Sequence, residues 1–456
     1  MKTLSSLFLV TNLLVCCISP ATADTFVVLI SAVVCDEKCG GNYGVESDVG
    51  RAYHSLIARG ISPSNIIVMT PDDFANNPKN AWPGKIFADE SLSKNVYEGL
   101  KIDYRGENVN RESIMAVLEG DSSAVKGGRV LNSTANDNIF VYYGGHGDHG
   151  SLIMPDKARR LTAYDLDSVF RRMHEKKMYK NLVIYVMACY GGSMFEGHLD
   201  PSLNVYAITA ANSIELARGT DYINKTEATK MGNLISFATQ FGRAWLDVMA
   251  QQYKNNETLG EQYMEIKNSP VISTHVSQFG DPEIRVELIS HFQGNQTASP
   301  SHMAKGVHMV MIHRHHDNMT DDSYLVYLKK RLHGTHDAAE RSKLESQIKE
   351  LENEKESLAD QALKISKLLH PEVNPPHPAG IRRNFVGHSH ASKPISRTPM
   401  PIKNLKCHDD LVKAIEKNCA HIRKSNFFSQ FLVPLSNLCE QGHSSEEIIN
   451  KMLTIC

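Results

Sequence analysis

The sequence is short of three things. It has almost no excess of one charge: 49 Lys and Arg stand against 51 Asp and Glu over 456 residues, a formal net charge of −2. That balance gives no reason to invoke nucleic acid, whose binders carry a basic face. Beyond its first residues it has no apolar run long enough to cross a bilayer, so no membrane span is expected. Cysteine is sparse outside small groups: Cys16 with Cys17, Cys35 with Cys39, and Cys407, Cys419, Cys439 and Cys456, which leaves Cys189 by itself. No cofactor and no resident metal are expected; the run His313-Arg314-His315-His316 reads as a solvated loop rather than a metal site.

What is present first concerns the compartment. Lys2 precedes an apolar stretch from Leu7 to Ile18, and Ala21-Thr22-Ala23 supplies a small-x-small cleavage pattern. Residues 1–23 therefore read as a secretory signal peptide, too short in its apolar part to span a membrane. The expected destination is the secretory pathway, ending in a lysosome- or vacuole-like compartment or outside the cell. Sequons at Asn132, Asn224, Asn256, Asn295 and Asn318 are usable glycosylation acceptors there. Once Cys16 and Cys17 leave with the leader, an odd number of cysteines remains in a disulfide-permissive setting. A lone thiol such as Cys189 is then either reactive or deeply buried.

Charge and histidine are unevenly spread. Residues 301–456 hold 22 Lys and Arg against 18 Asp and Glu, and 14 of the 21 histidines lie there. A basic, His-rich part could dock on an acidic one and respond to acid; two independently solvated surfaces would give the same counts. From 24 to 291 the pattern alternates. Strand-like runs at Phe26–Val34, Asn65–Met69, Asn138–Tyr143, Asn181–Ala188 and Asn204–Ile208 are separated by helical spacing. Val49, Ala52, Tyr53, Leu56 and Ile57 mark one helix, Ser113–Leu118 another, and Thr162 with Asp165 forms a capping box opening a third that runs to about Met178. This order predicts an α/β fold with a mostly parallel sheet covered on both faces. Residues 292–337 read as a linker. Ala338–Leu369 reads as a helix with an apolar seam packed on its own protein, and a Pro/His/Ser-rich stretch, Pro371–Pro401, precedes a compact helical, four-cysteine module.

Two of the strand-like runs stop in glycine-rich motifs, Gly144-Gly145-His146-Gly147 and Cys189-Tyr190-Gly191-Gly192. Ligands collect beyond the carboxyl ends of parallel strands. A His and a Cys placed there make a candidate base and nucleophile, with glycines baring the backbone amides beside them. A small buried Cys and a Gly-His-Gly turn are the plain alternatives.

These motifs resemble the legumains, asparaginyl endopeptidases of the caspase-like cysteine protease clan. The likeness runs through Asn42, Leu118-Glu119-Gly120-Asp121, Ala124-Val125-Lys126-Gly127, His146-Gly147, Ala188-Cys189, Gly192-Ser193-Met194 and Thr209-Ala210-Ala211-Asn212. The resemblance implies a caspase-like sheet flanked by helices over 24–291. It implies an activation peptide over 292–337 and, over 338–456, an all-helical, disulfide-bonded prodomain that inhibits its own enzyme. It implies Cys189 as nucleophile, His146 as base and acid, Asn42 orienting the imidazole, and the amides of Gly147 and Cys189 holding the oxyanion. It implies disulfides Cys407–Cys439 and Cys419–Cys456; with the odd count it also suggests Cys35–Cys39, whose short spacer could serve a metal instead.

The departures are as informative. Where legumains read an asparagine amide with charged groups, this chain has Gly44, Met187 and, by looser alignment, Asn233; Leu216-Ala217, after Glu215, replaces a serine pair. Gly145 replaces an aspartate before the catalytic His, and His336 the self-cleaved asparagine. A site built to bind an amide discriminates far less once its partners are gone. The expectation is a zymogen of a cysteine endopeptidase acting on protein and peptide substrates, with altered primary specificity that the pair Gly44→Arg and Met187→Glu would partly reverse. The alternative is a catalytically weak or inactive homologue acting as a binding or regulatory protein.

Overall fold

The computed structural model describes residues 23–36, 39–223, 235–251, 256–295, 325, 328, 329, 332–369, 398–425 and 427–456. The expected leader as far as residue 22, residues 296–324 of the expected linker with the His313–His316 run, and the sites Asn224, Asn233 and Asn318 lie outside them; His336, Asn132, Asn256 and Asn295 lie within.

Six strands form the central sheet: β1 (Thr25–Ser31), β2 (Ile66–Met69), β3 (Asn138–Gly144), β7 (Asn181–Met187), β8 (Val205–Thr209) and β11 (Ser277–Gly280), in the order β11-β8-β7-β3-β1-β2. All neighbours are parallel except β11 against β8. Branched and aromatic side chains let β1, β3 and β7 be buried on both faces, as a parallel sheet sandwiched by helices requires. Alternate residues feed two cores. Val27, Leu29, Val183, Tyr185 and Met187 face α1 (Cys39–Ala58), α4 (Gln240–Ala250) and α5 (Leu259–Lys267). Val28, Ile30, Ile184 and Val186 face α2 (Arg111–Glu119) and α3 (Ala163–Glu175). Trp245 of α4 anchors the first core, stacked on Tyr142 at 5.1 Å between ring centroids.

A small sheet of β4 (Gly147–Asp148), β5 (Ser151–Ile153) and β6 (Arg160–Thr162) follows β3, and a hairpin of β9 (Gly219–Ile223) and β10 (Ile235–Thr239) precedes α4. The expected capping box is there: Thr162 and Asp165 satisfy each other's backbone amides at the start of α3. That helix stops at Glu175 rather than Met178, because Lys177 turns left-handed (φ 54°). The first helix begins at Cys39, well before Val49; Gly40, Gly41 and Gly44 dilute the apolar spacing of its opening turns.

After the short α6 (Ser290–Gln293), α7 (Ala338–Leu369) lays Leu358, Ala362 and Ile365 against α8 (Leu405–Asn418), α9 (Phe428–Glu440) and α10 (Ser445–Met452). The seam is thus filled from its own chain. Disulfides Cys407–Cys439 and Cys419–Cys456 cross-link this module, and Cys35–Cys39 closes the loop entering α1.

Candidate active site

The sheet register builds the site. Gly144 at the end of β3 pairs with Met187 at the end of β7. His146 and Cys189 each lie two residues farther on, so adjacent parallel strands deliver both to the carboxyl edge, where such sheets bind ligands. The chain turns sharply after Cys189: Tyr190 is left-handed (φ 55°) and opens a short 3-10 turn, Gly191–Met194. A non-glycine residue held in that region stores strain of the kind found at functional sites. Cys189 is 1% exposed, outside any disulfide, with its Sγ 3.9 Å from the carbonyl oxygen of Ala217.

Gly147 must be glycine. A Cβ there would overlap the carbonyl oxygen of Cys189, so the backbone after His146 lies directly against the backbone of Cys189. Asn42, buried in α1, donates from Nδ2 to the carbonyl of Val34 at 3.1 Å, tying the loop after β1 to the helix. The Cys35–Cys39 bridge and a bond from the Cys35 amide to Asp73 (2.9 Å) pin the same loop.

The wall beside Cys189 is carried by Glu215. Its carboxylate accepts from the amides of Asn212 (3.0 Å) and His275 (2.7 Å) and meets His275 Nδ1 at 2.9 Å; its carbonyl accepts from the Tyr190 amide at 2.7 Å. Three loops are gathered by one residue. Met187 is wholly buried in the same core cluster as Cys189 and Ala217, with Leu216 packed against it. Gly44 faces β10: a Cβ there would come 2.8 Å from the backbone carbon of Ala238 and 2.9 Å from the carbonyl oxygen of Ser236. This corrects one expectation. Position 44 has no room for the side chain that Gly44→Arg would introduce, because the β10 backbone occupies that space. Simple reversion would displace the strand.

The loop following Gly147 is covered by the C-terminal module. His149 Nε2 lies 2.9 Å from the carbonyl of Met400 and its Nδ1 3.3 Å from that of Ser213. His408 Nε2, on α8, donates to the carbonyl of His149 at 3.0 Å. Gly150 is so close that a Cβ would meet the His408 ring at 2.7 Å. Around this contact, Arg160 is buried with its Nε 2.8 Å from Asp148, its amide 2.7 Å from Glu416, and its guanidinium 3.4 Å above the Phe428 ring. Thr162 donates to Asp409 (2.8 Å), and Lys413 bridges Asp165 and Asp409 at 2.9 Å each.

Burial sets the protonation of these groups. Desolvation, with the neighbouring His149 adding to it, lowers the His408 pKa to about 3, and desolvation lowers that of His149 too. Glu416 is pushed upward by burial despite Arg111 and Arg160 beside it. Inside the peptidase, wholly buried Glu46 rises to about 7 through desolvation, partly offset by the Thr70 hydroxyl bonded to it at 2.5 Å. None of Glu46, Asp148, His149, Arg160 or His408 stands out in the sequence. Each owes its importance to partners far along the chain, and no local motif marks them.

A thiol and an imidazole on adjacent strand ends, with bare backbone between them, are the parts of a cysteine-type endopeptidase. The model of the peptidase C13 family matches residues 30–295. The chain is 32% identical to the hemoglobinase of Schistosoma mansoni over 416 residues, covering 91% of this chain and 88% of that protein. It is 32% identical to the legumain of Rattus norvegicus over 422 residues, covering 91% and 89%. Among solved structures, caspase-1 of Spodoptera frugiperda matches at 11% identity with a TM-score of 0.34, covering 62% of this chain and 92% of that one. The chain belongs to the peptidase C13 family and is a legumain-like cysteine endopeptidase.

Proposed function

We propose that the chain is the secreted zymogen of a peptidase whose asparagine reader has been replaced. Cys189 attacks the scissile carbonyl as the thiolate. His146 takes the thiol proton and later gives one to the leaving amine. Asn42, whose amide ties the loop after β1 to α1, orients the imidazole. The amides of Gly147 and Cys189 face the oxyanion, each donor typically worth about 3 kcal/mol in such sites. The observation that carries this reading is the pairing of Gly144 with Met187, which brings the two reactive residues to one edge. Hydrolysis of peptides should fall at least about a thousandfold in Cys189→Ala and in His146→Ala, because nucleophile and base act as a unit. Residual activity of Cys189→Ala near the wild-type level would refute the assignment. Fast alkylation of Cys189 after acid treatment supports the enzyme; a thiol that stays inert supports the regulatory homologue instead.

The specificity follows from what lines the wall. Buried Met187 and Ala217 and half-buried Leu216 offer no side-chain partner to an amide, and an unsatisfied buried polar group costs roughly 1–3 kcal/mol. Apolar or small residues should be preferred before the scissile bond, with thioether flexibility at Met187 accommodating them. A peptide-library profile at acid pH tests this; cleavage confined to Asn would overturn it. The module from Ala338 onward acts as the intramolecular inhibitor, since it seats Met400 and His408 on the loop next to His146. The leader-like residues 1–23 support an acidic compartment of the secretory pathway as the destination.

A further inference from the structure

Between the peptidase and the C-terminal module lies a cavity of about 470 Å³, away from the Cys189 edge. Six cationic side chains line it, Arg111 and Arg159 from the peptidase and Lys413, Lys417, Arg423 and Lys424 from the module, against the two acids Asp156 and Glu416. Part of this charge is already matched. Arg111 meets Glu416 at 3.2 Å, Arg159 meets Asp156 at 2.8 Å and Glu112 at 3.1 Å, and Lys413 is held by Asp165 and Asp409. Three donors are left over. The ammonium groups of Lys417 and Lys424 meet no ion-pair or hydrogen-bond partner among the described residues. Arg423 donates from Nη1 to the Glu416 carbonyl at 3.2 Å, but its Nε is buried without an acceptor. A buried N–H left unpaired is costly, and a protein retains one readily where a ligand completes it.

We propose that this cavity binds a multiply charged anion carrying sulfate or phosphate groups, which bridges the two domains. Tetrahedral oxyanions accept several N–H bonds at once, and a guanidinium flanked by ammonium groups suits them. The volume is that of a small-molecule site and admits more than one such group. Both acids in the wall are engaged by arginines, so the anion meets the ammonium groups of Lys417 and Lys424 and the part of Arg423 that lines the cavity on one side, and Arg159 on the other. A ligand contacting both domains binds the docked arrangement better than the separated parts and stabilises docking by linkage. The proposal is independent of the catalytic reading.

The test uses the full-length protein near neutral pH at fixed ionic strength, titrated calorimetrically with sucrose octasulfate and, separately, with tripolyphosphate. One-to-one binding with a raised Tm is expected for at least one probe, and the tighter one identifies a sulfated-saccharide or a phosphorylated source. Lys417→Ala with Lys424→Ala should weaken binding about tenfold or more, and Arg159→Gln should also weaken it severalfold. Lys451→Ala, exposed on α10, should leave it unchanged. No binding beyond that of sodium chloride at equal ionic strength, or wild-type affinity in the double lysine variant, would overturn the site. Loss with the lysines but none with Arg159→Gln would overturn the bridge.

Discussion

Against the sheet, Trp245 of α4 packs on Phe140, Tyr142 and Tyr185, and the strands that carry them are apolar on both faces. Where the C-terminal module meets the peptidase, the buried groups are Arg160, Asp148, His149, His408, Thr162 and Asp409. The two regions are equally shielded from water but answer to different variables. Apolar burial contributes roughly 25 cal/mol per Å² whatever the proton concentration. A contact made of buried ions and neutral histidines keeps its strength only while each group holds the proton count it docked with. The sheet is therefore suited to persist in acid while the docked surface yields. Glu46 is the exception inside the peptidase, and its sign is the reverse of the histidines'.

The largest effect should come from breaking the buried pair at the docking surface. Arg160→Met removes the cation from Asp148 and leaves a buried carboxylate uncompensated, a change that typically costs about 3–5 kcal/mol. Hydrogen exchange across 147–150 and 405–418 should rise sharply at neutral pH; unchanged protection would mean that Arg160 adds little to docking.

Glu46 comes next. Its pKa is about 7 in the fold against an ordinary 4.5, so the native state keeps a proton that the unfolded chain releases between those values. Its contribution is complete below pH 4.5 and is lost as pH rises through 7, on the order of 3 kcal/mol in all. Glu46→Gln cannot ionise. Its Tm should match the wild type near pH 4.5 and exceed it near pH 8, and parallel melting curves at both values would contradict the assignment.

His408 sharpens the comparison at smaller amplitude. Its pKa is depressed to about 3, so below about pH 6.5 the exposed imidazole gains a proton that the docked one refuses. Docking is then fully stable above that range and weakens by up to about tenfold per pH unit on acidification toward the lower value. Glu416, whose pKa is raised, works the other way at lower pH. His408→Gln keeps a donor for the His149 carbonyl and removes the titration, so module release should become less steep with pH between 6.5 and 4.5. An unaltered slope would move the switch to other groups.

Much of the peptidase was legible from the chain alone, for local reasons. The strands β1, β3, β7 and β8 are apolar runs ended by glycine or polar residues, and Thr162 announces α3 by its own side chain. His146 and Cys189 stand out because strand ends in such sheets carry chemistry. The hairpin β9–β10 was not legible: Gly219 and Thr220 break up its start, and its partner is held mainly by packing on α1. That packing is also why Gly44 reads differently in three dimensions. In the sequence it is a missing charge; in the fold it is the point where helix and strand backbones touch. The His149–His408 contact, spanning 259 positions, had no sequence signature at all.

The disulfides have a consequence for how the proposed inhibition would end. Two of them close within residues 407–456 and the third within 35–39, so among the described residues none joins the peptidase to the module that covers it. While the backbone is whole, the module is tethered and its local concentration is fixed by the chain. One cut ahead of α7 turns the pair into two separate molecules, with the cross-linked fragment still folded and able to rebind. Under the proposed inhibition, the escape of activity from then on is governed by dilution, and the spent fragment would act as a soluble inhibitor whose effect scales with how much of it accumulates.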